Sequence, residues 1–256
     1  MELREYLDFA TETAYQAGRL TLGYFQTGVR PDFKADDSPV TIADRLAEEL
    51  IRQRIEKRYP SHAIVGEELG VKESEGATFR WFIDPIDGTK SFVRGVPLYA
   101  VLIGLEIEGK PMVGAAYYPG IDEMLNGAIG LGAWWNGKPA RVSAVTRLDQ
   151  AYVSFTDPGA FYYYNRQAAW ERLMRAVYVR AGWNDAYGYL LAATGRTDIM
   201  LDPIMNPWDC GPFPAIFQEA GGYFGDWQGN VTLHGGEALA TSRALLPEVL
   251  AVIHAG

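Results

Sequence analysis

Residues 81–90 read Trp-Phe-Ile-Asp-Pro-Ile-Asp-Gly-Thr-Lys. Phe79 to Ile83 is short, aromatic and β-branched, the composition of a strand. It runs straight into Asp84 and Asp87, two carboxylates three positions apart. Pro85 fixes its own φ and biases Asp84 toward an extended shape. Gly88 permits a tight turn, and Thr89-Lys90-Ser91 can open a helix whose bare N–H groups suit a phosphate. Asp84 and Asp87 can converge on one hard divalent cation, which takes oxygen ligands. The same ten residues also read as a polar turn after a strand, because Asp-Pro and Asp-Gly are common turn pairs. On this segment alone both readings stand.

On the N-terminal side, Leu3, Tyr6, Leu7, Ala10, Ala14 and Ala17 recur at three- and four-residue steps. That spacing predicts an amphipathic helix over 3–25. Leu46, Leu50, Ile51 and Ile55 predict a second over 43–58, ended by Pro60. Between them lies a polar loop with Lys34, Asp36, Asp37, Ser38 and Pro39. On the C-terminal side, strands over 99–107 and 112–118 flank Glu108-Gly109-Lys110 as a hairpin. Asn136-Gly137 is a turn signal, with short strands expected near 125–128 and 139–143. Beyond 150 the pattern alternates. Strands are expected at 151–155, 198–201, 223–224 and 238–241, and helices at 165–177, 185–195, 209–220 and 244–254. The first half therefore reads as α+β, helices against an antiparallel sheet, and the second as α/β. No linker rich in Pro, Gly or Ser divides them. One domain over 1–256 is expected, with lobes of about 1–145 and 146–256.

Composition narrows the function classes. The 256 residues carry 23 Lys+Arg against 32 Asp+Glu, a net charge of -9. That balance argues against a nucleic-acid partner and against an anionic membrane surface. No apolar run approaches the length of a membrane span, and charges interrupt the start of the chain, unlike a signal peptide. Cys210 is the single cysteine, which fits a reducing cytoplasm. The three histidines form no His-Glu-x-x-His pair, so a zinc protease is excluded on spacing. Ile216 stands six positions after Cys210, where a cysteine-dependent phosphatase loop needs Arg. There is no Gly-x-Ser-x-Gly elbow, no Walker A loop and no complete dinucleotide fingerprint. Asp84 and Asp87 also lack the one-residue spacing of an Asp-x-Asp phosphoaspartyl nucleophile.

Three further carboxylate segments matter. Asp209, in Pro207-Trp208-Asp209-Cys210, precedes a helix ending in Glu219-Ala220-Gly221-Gly222; alone, it reads as a helix N-cap. Gly66-Glu67-Glu68 follows Ala63-Ile64-Val65 and alone reads as a charged strand end. Asp44 closes Val40-Thr41-Ile42-Ala43-Asp44, either as a helix-end charge or as a base.

Together these pieces resemble the inositol monophosphatase family. Trp81–Thr89 looks like its first signature and Trp208–Gly222 like its second. Gly66-Glu67-Glu68 matches its upstream acidic pair and Thr41–Asp44 its Thr-x-x-Asp. Gly132-Ala133, Asn136-Gly137 and Val142-Ser143 match a further landmark. The resemblance implies a layered α-β-α-β-α fold of the inositol monophosphatase / fructose bisphosphatase type and Mg²⁺-dependent hydrolysis of a phosphate monoester. It implies that Glu67, Asp84 and the carbonyl of Ile86 bind one metal, and that Asp84, Asp87 and Asp209 bind a second. A third, weaker metal would sit near Glu67. The amides of Gly88 and Thr89 would hold phosphate, and Asp44 with Thr89 would orient the attacking water. The family also implies a homodimer. Unaided monoester hydrolysis is extremely slow, and two Mg²⁺ ions about 3.5–4 Å apart suit the reaction without a covalent intermediate.

Within the family, Lys34–Thr41, Lys90–Tyr99 and Asp185–Tyr189 are most similar to the histidinol-phosphatase branch. Histidinol phosphate carries an amine and an imidazole, so carboxylates are expected away from the phosphate. Asp185 and Asp202 are the candidates, with Asn184 as a hydrogen-bonding neighbour and Arg180 as a phosphate or subunit contact. Each also has a structural reading, Asp185 as a helix N-cap and Asp202 as a strand end before Pro203. Asn184 replaces a Gly usual in that branch. Phe161-Tyr162-Tyr163-Tyr164 reads as buried packing or a dimer contact, or as a cover that stacks on an imidazole. An inositol-1-monophosphatase or broad sugar-phosphate phosphatase is the alternative substrate reading. A non-catalytic metal or phosphate binder is the alternative of another class.

Overall fold

The computed structural model describes residues 2–35, 37–182 and 184–255. Asp36 of the polar loop therefore lies outside the described residues. The chain opens with helix α1 (Leu3–Leu22), then a small hairpin of β1 (Asp32–Phe33) and β2 (Pro39–Val40), then helix α2 (Ile42–Arg58). Strands β3 (Ala63–Gly66), β4 (Gly70–Lys72) and β5 (Phe79–Asp87) follow, and a one-turn helix α3 (Thr89–Val93). A meander of β6 (Ala100–Ile107), β7 (Lys110–Tyr118), β8 (Glu123–Ala128), β9 (Gly132–Trp135) and β10 (Lys138–Pro139) completes the first half. The second half runs β11 (Tyr152–Ser154), α4 (Pro158–Tyr163), α5 (Gln167–Ala176), β12 (Val179–Ala181), α6 (Ala186–Ala193) and β13 (Ile199–Asp202). It ends with α7 (Pro207–Cys210), α8 (Phe213–Glu219), β14 (Gly222–Gly225), β15 (Ala238–Ser242) and α9 (Leu246–Ile253).

Two large sheets result. One has eight strands in the order β10-β9-β8-β7-β6-β5-β3-β4, and the other five in the order β12-β11-β13-β15-β14. The first is antiparallel apart from the parallel pair β3–β5. The second joins parallel β11–β12 and β11–β13 pairs to antiparallel ones. Side-chain alternation assigns the faces. Trp81 and Ile83 of β5 pack with α1 and α2, while Phe82 packs in the middle layer with α6 and α8. Met200 and Ala240 of the second sheet join that middle layer; Ile199 and Leu239 face α4, α5 and α9 instead. The layers are thus helix, sheet, helix, sheet, helix, as the resemblance implies.

Two predicted elements differ. The helix expected over 209–220 is broken into α7 and α8 at Gly211-Pro212, because Pro212 offers no N–H and the Gly211 backbone lies against Gly104 of β6. Of the strand expected near 139–143 only Pro139 pairs with β9, together with Lys138 before it. After it the backbone crosses over, with Ala140 N–H bonded to Ala133 and Val142 N–H to the Ala220 carbonyl at the end of α8. α4 and β12 carried too weak a periodicity to be predicted.

Candidate active site

β5 delivers the central carboxylates. Asp84 shares the face of Phe82, toward the middle layer, and the β5–β6 register shifts between Asp84 and Asp87. That irregularity lets both aspartates turn to one side. Asp209 arrives from α7, whose backbone rests on the same sheet. One oxygen each from Asp84, Asp87 and Asp209 lies within 4.8 Å of the others. Each carboxylate is also gripped by an amide: Asp84 Oδ1 accepts from Ile86 N–H at 2.9 Å, Asp87 Oδ2 from Ala186 N–H at 2.6 Å, and Asp209 Oδ2 from Asn206 N–H at 2.8 Å.

Burial raises all three pKa values, and mutual repulsion adds to it. Asp84 is pushed well above the carboxylate range by desolvation, then by Glu67, Asp87 and Asp209. Asp87 follows by desolvation, then by Asp185 and Asp209. Asp209 is pushed up to about 7 by desolvation, against the Asn206 amide. Such a cluster must either hold protons or hold a cation. An all-oxygen donor set fits Mg²⁺ or a similar hard ion.

Glu67 stands in the turn after β3 and lines the same cleft. Lys34 Nζ lies 2.7 Å from Glu67 Oε1 and 2.7 Å from Glu68 Oε1. Burial pulls Lys34 down, but the two glutamates outweigh it and its pKa ends raised. Glu68 is pushed up to about 7, chiefly by desolvation. Behind the cleft, Asp44 is fully buried at the start of α2. Its Oδ2 accepts from Thr41 N–H at 2.8 Å and Thr41 Oγ1 at 2.6 Å. Its Oδ1 lies 3.1 Å from Thr89 Oγ1, which is also 3.0 Å from the Ile86 carbonyl. Thr89 has one hydroxyl proton for these two acceptors. Desolvation raises the Asp44 pKa, against its bonds to Thr41 and Thr89.

These groups open on a cleft of about 630 Å³ between the two halves of the chain. Gly88, Thr89 and Lys90 line one wall; Tyr163, Tyr164, Asp185 and Asp202 line others. Residues 2–255 match the sequence profile of the inositol monophosphatase family. The chain belongs to that family. It is 41% identical over 237 residues to a histidinol-phosphatase of Chlorobaculum parvum, spanning 92% of this chain and 91% of the relative. It is 34% identical over 231 residues to the fructose-1,6-bisphosphatase/inositol-1-monophosphatase of Aquifex aeolicus, spanning 87% and 86%. The solved extragenic suppressor protein suhB of Bartonella henselae matches at a TM-score of 0.91 and 26% identity, over 98% of this chain and 99% of that one. The family is one of metal-dependent phosphatases.

The remaining predicted residues fall into two groups. Asp185 and Asp202 reach the cleft. Asp185 Oδ2 accepts from Ser91 Oγ at 3.0 Å rather than capping α6, and the Asp185 backbone has φ 42°. Asp202 Oδ2 accepts from Tyr189 OH at 2.8 Å, and burial pushes its carboxyl up to about 6. Arg180 and Asn184 are directed elsewhere. The Arg180 guanidinium donates to the carbonyls of Met174, Val177 and Tyr178, tying down the end of α5. Asn184 is buried and donates to Ala181 and Phe155 carbonyls. Among the described residues lining the cleft, neither is present. The aromatic run divides: Phe161 is buried and stacks on Trp170 at 4.2 Å, whereas Tyr163 is 80% exposed at the cleft. Asp209 is the third residue of α7, behind Asn206, and not its N-cap.

Sequence reasoning gave the side chains of Lys34, Lys90, Tyr189 and Ser91 no role of their own. Lys34 could have been marked as a lone cation in an acidic loop, but only folding brings it to the acid pair 33 residues away.

Proposed function

We propose that the chain is a Mg²⁺-dependent phosphate-monoester hydrolase whose substrate is histidinol phosphate. The observation that carries the hydrolase reading is the Asp84–Asp87–Asp209 cluster, Asp84 buried and the other two half-buried, in a cleft also lined by Gly88 and Thr89. In this reading Glu67, Asp84 and the Ile86 carbonyl would hold one ion, Asp84, Asp87 and Asp209 would hold a second, and a third would bind weakly near Glu67. Mg²⁺ supplies charge to the phosphoryl oxygens and lowers the pKa of water.

The chain's own groups do the rest. Gly88 and Thr89 amides bind the phosphate oxygens. Thr89 donates its hydroxyl proton to Asp44 Oδ1, so that its oxygen can accept from the attacking water and aim it at phosphorus. The proton then rests on the Thr89–Asp44 pair, whose carboxyl is already biased toward holding it. The carboxylates of Asp185 and Asp202 face the alcohol part of the ester, where an amine or imidazolium is paired.

The C. parvum relative's name supports histidinol phosphate. The A. aeolicus relative's name supports the second reading, inositol or sugar phosphates. Phosphate release across a panel of esters, with and without Mg²⁺, separates them: a strong preference for inositol phosphate removes the first. Asp84→Asn is expected to abolish Mg²⁺-dependent turnover with the far-UV spectrum unchanged; a near-native rate would sink the metal assignment. We place the enzyme in the cytoplasm as a homodimer, which light scattering tests.

A further inference from the structure

Glu48 lies one helical turn after Asp44 in α2, on the same face, and is fully buried. Nothing in its sequence context marks it. Its carboxylate accepts three charge-assisted or amide hydrogen bonds. Glu68 N–H reaches Oε2 at 2.7 Å, Leu69 N–H reaches Oε1 at 3.1 Å, and Arg52 Nε reaches Oε1 at 2.7 Å. Arg52 also donates to the Gly70 carbonyl. The β3–β4 turn carrying Glu67 and Glu68 is therefore clasped to α2 by one carboxylate and its arginine. The approach is close: a Cβ at Gly66 would lie 2.2 Å from Glu48 Oε1, so a side chain there would push the Glu48 carboxylate out of its place. On its other side Gly66 pairs with Ile83 of β5, and Glu67 N–H donates to the Ile83 carbonyl at 3.2 Å. The turn is held between the helix that carries Asp44 and the strand that carries Asp84.

We infer that Glu48 is a positioning residue for the metal centre: it fixes the turn that aims Glu67 at Asp84. This rests on the reading of Glu67 as a metal ligand. A carboxylate is required because all three partners are donors. Glutamine would turn an NH₂ toward one of them and lose that bond. A charge this deep is tolerated because Arg52 neutralises it. Residues that orient ligands without touching the ion typically change metal affinity by about 10- to 100-fold.

The test compares Glu48→Gln, Glu48→Asp and Glu67→Gln. Mn²⁺ binding to each protein is followed by calorimetry, amide exchange is measured at Glu68 and Leu69, and kinetics are run against Mg²⁺ and ester. Glu48→Gln is expected to lose protection at Glu68 or Leu69, whichever amide its NH₂ faces, and to weaken Mn²⁺ binding about tenfold. Its KM for the ester at saturating Mg²⁺ should stay within about twofold, because no ester contact is removed. Glu48→Asp keeps the charge and should recover part of the affinity, and it carries the test if the glutamine variant does not fold. Glu67→Gln should weaken Mn²⁺ with amide protection intact. Weakened binding in Glu67→Gln but native binding in both Glu48 variants overturns the role of Glu48 alone. Native binding in all three overturns the reading of Glu67 and the role of Glu48 with it.

Discussion

Asp202 shows how a single buried carboxyl leaves a signature in stability. Desolvation pushes it up to about 6, although Tyr189 and Thr156 donate to it. In the unfolded chain the same group titrates near its ordinary value of about 3.9. Between those values the folded chain binds more protons than the unfolded one, so stability falls as pH rises through that window. Asp202→Asn keeps an acceptor for Tyr189 and removes the titration. Metal-free unfolding of the variant should therefore gain on the parent, by on the order of 2–3 kcal/mol, between pH 4 and pH 7. The clustered aspartates titrate in both proteins and cancel in the comparison. Parallel stability curves would show that Asp202 is not desolvated as the fold requires. His62 has the opposite sign. Its ring is stacked 4.4 Å from Phe79 and bonded to Trp81 Nε1 at 3.0 Å, and burial lowers its pKa. Its contribution is lost as pH falls below the unfolded value of about 6.5, so the two windows overlap at mildly acidic pH, where both groups detract from stability.

At the scale of elements, the α7–α8 joint decides where Asp209 sits. Gly104 of β6 and Gly114 of β7 are directly paired across the sheet. A Cβ at Gly104 would lie 2.2 Å from the Gly211 carbonyl, and one at Gly114 would lie 2.0 Å from the Pro212 oxygen. Two bare strand positions thus form the seat on which the joint rests. Gly104→Ala should cost about 2–3 kcal/mol by overpacking and should weaken metal binding as well, because the displaced joint carries Asp209 with it. Chemical denaturation and calorimetric titration check the two effects; loss of stability with unchanged metal affinity would separate the joint from the site. The same joint marks the limit of what could be read beforehand. Strand β5, its two aspartates and the amphipathic α1 were legible because periodicity and the Asp-Pro and Asp-Gly pairs are local signals. The break at Gly211-Pro212 has a local mark in Pro212, but the close seat that fixes its position lies a hundred residues away in Gly104. Arg180 and Asn184 misled for the related reason that a polar side chain near a motif carries no mark of whether a carbonyl already claims it. Glu48 was invisible among the other acids of α2 until β3 and β4 were folded against it.

Across the whole molecule, the middle layer joins Phe82 and Leu102 of the first sheet to Met200 and Phe224 of the second in one apolar cluster. We propose on that ground that residues 1–256 unfold as one domain, with calorimetric and van't Hoff enthalpies equal. The net charge of -9 is unevenly distributed, since Asp84, Asp87 and Asp209 crowd one cleft. A cation bound there stabilises only the folded chain, by about 2.7 kcal/mol per site at a hundred times its Kd. Its binding must also displace protons from carboxyls whose pKa values burial has raised, Asp209 to about 7 among them. The gain in Tm on adding Mg²⁺ should therefore be larger at pH 8 than at pH 6, and titration in buffers of different ionisation enthalpy should report protons released on binding. Asp84→Asn should lose most of the gain at both pH values. An equal Mg²⁺ shift at pH 6 and pH 8 would mean that the clustered carboxyls are already ionised without a metal. A shift that survives in Asp84→Asn would place the bound ion elsewhere. Two separate transitions, only one of them moved by Mg²⁺, would divide the lobes and confine the metal centre to one of them.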